Sequence, residues 1–262
     1  MKMLNRFLCR WPRFYFQLMG LRQGAADEKR LYLLLLRRGD VVFDVGANIG
    51  YFSDLFASII GSQGRLFSFE PSPVTVKELE RAVAGQTCPV RIVNAACGDT
   101  EGEVELFQKG EDSGQASLHQ QSQASWESAE EVKAFPCHII RLDQFIRTEK
   151  IHHLDFLKCD VEGAELLAFR GMGDELARLS PVILFELFPA FMKSFGYQPD
   201  DLFAYLRSQG YDTFYKVAAK LELFAADQIS PNSSLNILAI RRDRHAKHLA
   251  RLRSASILED RA

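Results

Sequence analysis

Four carboxylates close apolar runs in this chain: Asp44 in VVFDV, Glu70 in LFSFE, Asp160 in FLKCD and Glu186 in VILFE. Glu162 follows Asp160 by two residues. A carboxylate in such a place can take a proton from a hydroxyl, hold an ammonium group, or accept hydrogen bonds from a pair of vicinal hydroxyls. Directly after Asp44 the chain reads Gly46-Ala47-Asn48-Ile49-Gly50. Glycines at that point allow a tight turn and let a ligand lie against bare backbone. Glu70 stands twenty positions after Gly50, the distance expected of an acid that binds a ribose. Asn48 occupies the place where a dinucleotide fingerprint has its middle glycine, the one that lets backbone approach a pyrophosphate. Adenosine is therefore expected, and pyrophosphate is not.

These residues need a frame that brings strand ends together. Short apolar runs at 41–45, 66–69, 90–96, 155–159 and 181–187 read as buried strands. Amphipathic stretches at 27–38, 51–60, 73–84, 163–169 and 200–209 read as helices between them. Such alternation predicts an α/β, doubly wound, mainly parallel seven-stranded sheet, with an antiparallel late strand among 211–217 and 235–241. Ligands on such sheets bind beyond the carboxyl ends of the strands, where Asp44, Glu70, Asn94, Asp160 and Glu186 fall. Residues 104–107 and 135–142 read as added strands. The polar, aperiodic stretch 108–131 and the aromatic stretch 188–197 are expected to shape an acceptor pocket.

Composition narrows the rest. A chain of 262 residues with 47% hydrophobic residues supports one sizeable core, and a formal net charge of −2 gives no reason to expect nucleic acid as a partner. Five cysteines without a C-x-x-C pair form neither a disulfide framework nor a zinc site, and suit a reducing cytoplasm. Cys159 reads as a buried, inert thiol. Arg6, Arg10 and Arg13 interrupt every apolar stretch of the first 26 residues. That segment is a basic-aromatic arm, able to pack on the domain as a helix or to touch an anionic membrane surface peripherally. The expected organisation is this arm (1–26), a catalytic domain (27–241) and a charged tail (242–262).

An adenosine without phosphates, carried by a ligand whose amino group needs an anion, describes S-adenosylmethionine, with Asp44 supplying the anion directly or through water. The blocks DVVFDVGANIGYFS, FSFEPSP, VRIVNAACGD, FLKCDVEGAE and PVILFEL resemble, in order and spacing, those of FkbM-type methyltransferases. These form a branch of the class I, Rossmann-like S-adenosylmethionine-dependent enzymes. The resemblance implies that Gly46, Ala47, Asn48 and Gly50 form the cofactor turn and that Asp44 orients the methionine part. It also implies that Glu70 binds both ribose hydroxyls beside a ledge of Pro71 and Ser72, and that Asn94, Ala95 and Ala96 flank the adenine. Asp160 and Glu162 would then face the acceptor as catalytic groups, and the acceptor would be a hydroxyl on a saccharide or secondary metabolite. No obligatory metal is expected, although the same acids could hold a divalent cation. Each acid also has a plainer role as a helix cap or turn residue. The competing functions are a nicotinamide oxidoreductase and a scaffold that keeps the fold without catalysis.

Overall fold

The computed structural model describes residues 26–109, 116–117, 132–224 and 229–258. The arm, Cys9, His119 and most of the polar stretch 108–131 lie outside the described residues. Helix α1 (Ala26–Leu35) leads into β1 (Val41–Val45), α2 (Tyr51–Ile60), β2 (Arg65–Phe69), α3 (Pro73–Val83) and β3 (Val90–Val93). Four strands follow: β4 (Ala96–Cys97), β5 (Gly102–Lys109), β6 (Ala116–Ser117) and β7 (Val132–Ile140). Alternation resumes with α4 (Leu142–Thr148), β8 (Phe156–Cys159), α5 (Glu165–Gly171), α6 (Asp174–Leu179) and β9 (Val182–Leu187). The chain closes with α7 (Pro189–Met192), α8 (Pro199–Ser208), β10 (Thr213–Val217), β11 (Leu221–Leu223), β12 (Leu235–Ile240) and α9 (Ala246–Ser254).

The main sheet runs β11-β10-β12-β9-β8-β1-β2-β3. β3, β2, β1, β8 and β9 are mutually parallel, and β12 is antiparallel to both β9 and β10. This is the α/β, mainly parallel class I arrangement expected, with its antiparallel late strand. Among the described residues it has eight strands rather than seven. The chain turns back after β10, buries Leu221, and donates the Leu221 N–H to Ile257 O at 2.8 Å, so that β11 covers the edge. Beside it stands a second sheet, β4-β7-β5-β6, in which β5 and β7 pair antiparallel from Gly102–Ile139 to Lys109–Val132.

Side chains alternate across the main sheet and make two cores. Phe43, Phe67, Leu157, Phe185 and Ile237 face one way, toward Ile146, Phe169 and Phe203. Val42, Leu66, Phe156, Leu184 and Leu238 face the other way, toward Tyr32, Phe56 and Leu252. By the same period of two, Ser68, Asp44 and Lys158 continue the second face. The polar row therefore sits where that core meets the carboxyl ends of the strands.

Residues beyond 241 do not form a separate tail as far as residue 258. Leu249, Leu252, Ile257 and Leu258 are buried in the second core, while Lys247 and Arg253 stay in water. Leucines three apart on an otherwise charged helix give it one apolar stripe, and α1 covers that stripe. Leu252→Ala should therefore cost about 2–5 kcal/mol in urea unfolding. Arg253→Ala on the wet side should stay within about 0.5 kcal/mol.

Candidate active site

β1 ends in a turn that two observations fix. The Gly46 and Ala47 N–H groups both donate to Phe69 O at 3.0 Å, which ties the turn to the end of β2. Gly46 has φ +81°, and a Cβ there would fall 1.8 Å from Asp160 O, so only glycine lets β1 and β8 meet so closely. Asn48 adopts φ 49°, a conformation asparagine tolerates, with its side-chain Oδ1 accepting from Ile49 N–H at 2.7 Å. Gly50 (φ +83°) opens α2, where a Cβ would strike Leu79 and Ala82 of α3. It serves helix packing.

Glu70 is 5% exposed. Its Oε2 accepts from Asn48 N–H and its Oε1 from Ser72 N–H, both at 2.9 Å. Each oxygen keeps a lone pair, so the group can still accept two more hydrogen bonds. Burial pushes this carboxyl up to about 7, against the pull of those two N–H donors. The Asn94 amide donates to Glu70 O at 2.9 Å and Pro71 O at 2.8 Å, which joins the ends of β2 and β3. Ser72 is fully buried and caps α3 through Thr75 N–H.

A cavity of about 230 Å³ opens over these strand ends. Gly46, Ala47, Asn48, Glu70 and Pro71 line it, together with Ala95, Ala96, Asp160 and Glu162. Of the acids and turn residues singled out from the sequence, Asp44, Gly50, Ser72, Asn94 and Glu186 do not line it. Asp44 lies beneath the floor, wholly buried, accepting from Ser53 Oγ–H at 2.6 Å. The two serine oxygens are 2.8 Å apart, so Ser68 donates to Ser53 in turn. Asp44 Oδ1 has no partner, and burial raises the pKa of the group.

Asp160, Glu162 and Glu186 each offer an oxygen within 4.8 Å of the others. At an effective dielectric near 20, two full charges at that distance repel by about 3 kcal/mol, so the three acids resist being ionised together. Glu162 is pushed up to about 8 by burial first and by Glu186 and Asp160 next. Glu186 is raised by burial and by the adjoining Asp160 carboxyl, while Ser234 Oγ–H donates to it. Neither Asp160 nor Glu162 caps α5. Glu165 instead accepts from Val161 and Gly163 N–H at 3.2 and 3.3 Å. Tyr197 Oη–H donates to Gly163 O at 2.7 Å. Tyr197, grouped with the acceptor pocket from the sequence, thus braces the turn that carries Glu162. Phe188 and Phe191 pair their rings 4.3 Å apart beside that turn, and the Phe191 backbone packs on Gly163.

The family model for the methyltransferase FkbM domain matches residues 44–213. The chain belongs to the FkbM methyltransferase family. That family is one of S-adenosylmethionine-dependent methyltransferases. A hexuronic acid methyltransferase, AglP, of Haloferax volcanii is 28% identical over 167 residues, 62% of this chain and 62% of that protein. The 31-O-demethyl-FK506 methyltransferase FkbM of Streptomyces tacrolimicus is 29% identical over 161 residues, 53% of this chain and 62% of its own. The chain thus spans about three fifths of the length of these two curated relatives. Among solved structures, fibrillarin of Aeropyrum pernix with bound S-adenosyl-L-methionine matches at 13% identity and a TM-score of 0.42, covering 78% of this chain and 67% of that one.

The site's donors fit such a cofactor. Glu70 has two open acceptor positions for a diol, Gly46 leaves a bare backbone surface, and Asp160 and Glu162 in the same cavity suit a cation. Two residues escaped the sequence reading as functional groups, Lys158 and Glu165, and Glu186, noted there as an acid at a strand end, joins Asp160 and Glu162. Lys158 left a signal, being a lone charge inside an otherwise apolar strand two residues before Asp160. Among the described residues, no helix is long and apolar enough to cross a membrane.

Glu70, Glu162 and Glu165 all sit above the ordinary glutamate value of 4.5, at about 7, 8 and 8, because they are buried. Their folded pKa values are raised, so the folded chain holds protons that the unfolded chain has released, and stability falls as pH rises through 7 and 8. Thermal unfolding of the ligand-free chain should show Tm dropping by several degrees from pH 6 to 8.5. In Glu162→Gln that drop should shrink.

Proposed function

We propose that this chain transfers the methyl group of S-adenosylmethionine to a hydroxyl oxygen on a saccharide or secondary metabolite. The observation that carries this is that one cavity is lined both by the Gly46–Asn48 turn with Glu70, which have the groups for an adenosine, and by Asp160 with Glu162, which have the groups for a proton. The relatives' printed names, a hexuronic acid and an O-demethyl metabolite as substrates, support oxygen in a small molecule as the acceptor.

In this reading Glu70 accepts from both ribose hydroxyls, Pro71 lies beside them, and Ala95 and Ala96 flank the adenine. Gly46 and Ala47 underlie the methionine part. Asp44, below the cavity floor, acts on the amino group through water and fixes the turn through Ser53. Ser72 and Asn94 hold the ledge from behind as a helix cap and a strand tie. The bound cofactor supplies an electrophilic methyl on a positively charged sulfur. The protein's task is to align the acceptor oxygen behind that methyl and to take its proton. Positioning supplies much of the acceleration in such displacements, and a carboxylate within hydrogen-bond reach supplies the base. Asp160 or Glu162 is that base. A sulfonium beside three acids also offsets their mutual repulsion, so turnover needs no added metal in this reading.

Calorimetry should give S-adenosylmethionine binding that tightens roughly tenfold from pH 6 to 8, as Glu70 ionises through about 7. In Glu70→Gln the affinity should fall about 10–100-fold and the pH dependence should flatten. A labelled-methyl screen of uronic acid glycosides, neutral glycosides and hydroxylated macrolides should yield an O-methyl product. With that acceptor, Asp160→Asn or Glu162→Gln should cut turnover about 100-fold or more. Two fully active variants would remove both acids from the mechanism, and absence of cofactor binding would leave a non-catalytic scaffold.

A further inference from the structure

Lys158 is the one cation among the described residues that line the cavity. Its side chain is 4% exposed. Its Nζ donates to Asp160 Oδ2 at 2.8 Å and lies 4.8 Å from the centre of the Phe52 ring. In the register of the sheet it stands opposite Asp44 on β1. The charged groups around it are Asp44 from β1, Glu28 from α1, Asp160 and Glu162 after β8, and Glu186 from β9. Removing an ammonium from water is costly, and a lysine is kept in such a place only by nearby anions. Here those anions prevail over burial, and Lys158 holds its proton more tightly than a free lysine does.

One ammonium cannot serve three acids equally. Its Nζ makes a hydrogen bond to Asp160, while Glu186 bonds to Ser234 and adjoins Asp160, and Glu162 feels the ammonium only through space. We propose that Lys158 is a positioning residue that makes Asp160, rather than Glu162, the proton acceptor of methyl transfer: through the 2.8 Å ion pair it pins one oxygen of the Asp160 carboxylate and orients the group. This rests on the methyltransferase reading above and decides between the two bases left open there. As the acceptor oxygen bonds to the methyl carbon, the electron pair of the breaking C–S bond stays on sulfur. The hydroxyl proton passes to the Asp160 carboxylate, which later gives it to water. Lys158 holds its own proton throughout.

The inference is testable without knowing the acceptor. Full-length wild type, Lys158→Gln, Lys158→Arg and the double variant K158Q/D160N are titrated with S-adenosylmethionine at pH 7 in phosphate and in Tris. The difference in heat between the buffers counts the protons released. Lys158→Gln should bind within about tenfold of wild type but release more protons, because Asp160 has taken one that the incoming cation expels. Lys158→Arg should release as few as wild type, and the double variant should lose the excess. Should Lys158→Gln fail to fold, carboxyl carbon-13 spectra of wild type decide the matter. The signal missing from Asp160→Asn should keep the shift of an ionised group from pH 6 to 9.

With the best acceptor of the labelled-methyl screen, Lys158→Gln should lose about 100-fold in kcat at pH 7 with KM little changed, and recover part of it by pH 9. An unchanged proton count and pH profile in Lys158→Gln would make the lysine a structural partner of Asp44 only. An Asp160 signal that titrates near neutrality would overturn the proposal, and so would turnover lost to a chelator and restored by magnesium, which would make the three acids a cation site. Wild type that fails to bind S-adenosylmethionine would instead bring down the methyltransferase reading itself, and this inference with it.

Discussion

Two opposite charges buried on one face of a sheet constrain everything near them. Asp44 and Lys158 stand side by side on β1 and β8, on the face whose other members are Val42, Leu66, Phe156 and Leu184. Each alone would cost several kcal/mol to bury, and each removes much of the other's cost only if the strands keep their register. A slip of one residue would turn Asp44 into the aromatic core on the opposite face and set Phe43 against Lys158. The pair thus acts as a register pin at the centre of the sheet. It stands one step below the strand ends where Gly46 and Asp160 meet.

That meeting sets the geometry of the site. Asp160 donates its N–H to Val45 O at 2.9 Å, and its carbonyl lies where a Gly46 side chain would have been. The turn after β1 and the turn after β8 therefore move as one piece. Glu70 ties in the end of β2 by receiving Asn48 N–H, and Glu165 with Tyr197 fixes the loop bearing Glu162 from behind. Buried carboxylates accepting backbone N–H groups recur here because loops at strand ends leave donors without partners in the sheet. The same burial raises the proton affinity of those acids, so structural support and proton chemistry come from one set of residues.

Much of this was legible in the chain itself, for physical reasons. Strands buried on both faces give apolar runs, the turn after β1 needs residues that accept positive φ, and an acid at the end of such a run is conspicuous. Asp44, Gly46, Glu70 and Asp160 stood out for those reasons. What escaped depends on contacts between segments far apart in sequence. Nothing local says that Glu165 will find the N–H groups of Val161 and Gly163, that Tyr197 will reach Gly163 across more than thirty residues, or that Glu186 will close a triad of acids. The short strand β11 and the two-residue strands β4 and β6 carry too few residues for a pattern. The leucine stripe of α9 was obscured by the arginines, lysine and histidines around it.

β12 has a place in the sheet that bears on how the molecule is made. It comes last among the strands in sequence, yet lies between β9 and β10. During synthesis β9 emerges early and waits with an open edge, while β10 and β11 can pair only with each other. The sheet becomes continuous only after Ile240 has left the ribosome, and α9 seals that region later still. A nascent chain therefore carries an unsatisfied, strongly apolar strand edge along VILFEL for some fifty residues of elongation. Shielding of that edge by a chaperone, or quick arrival of the last strand, would keep it from pairing with another chain.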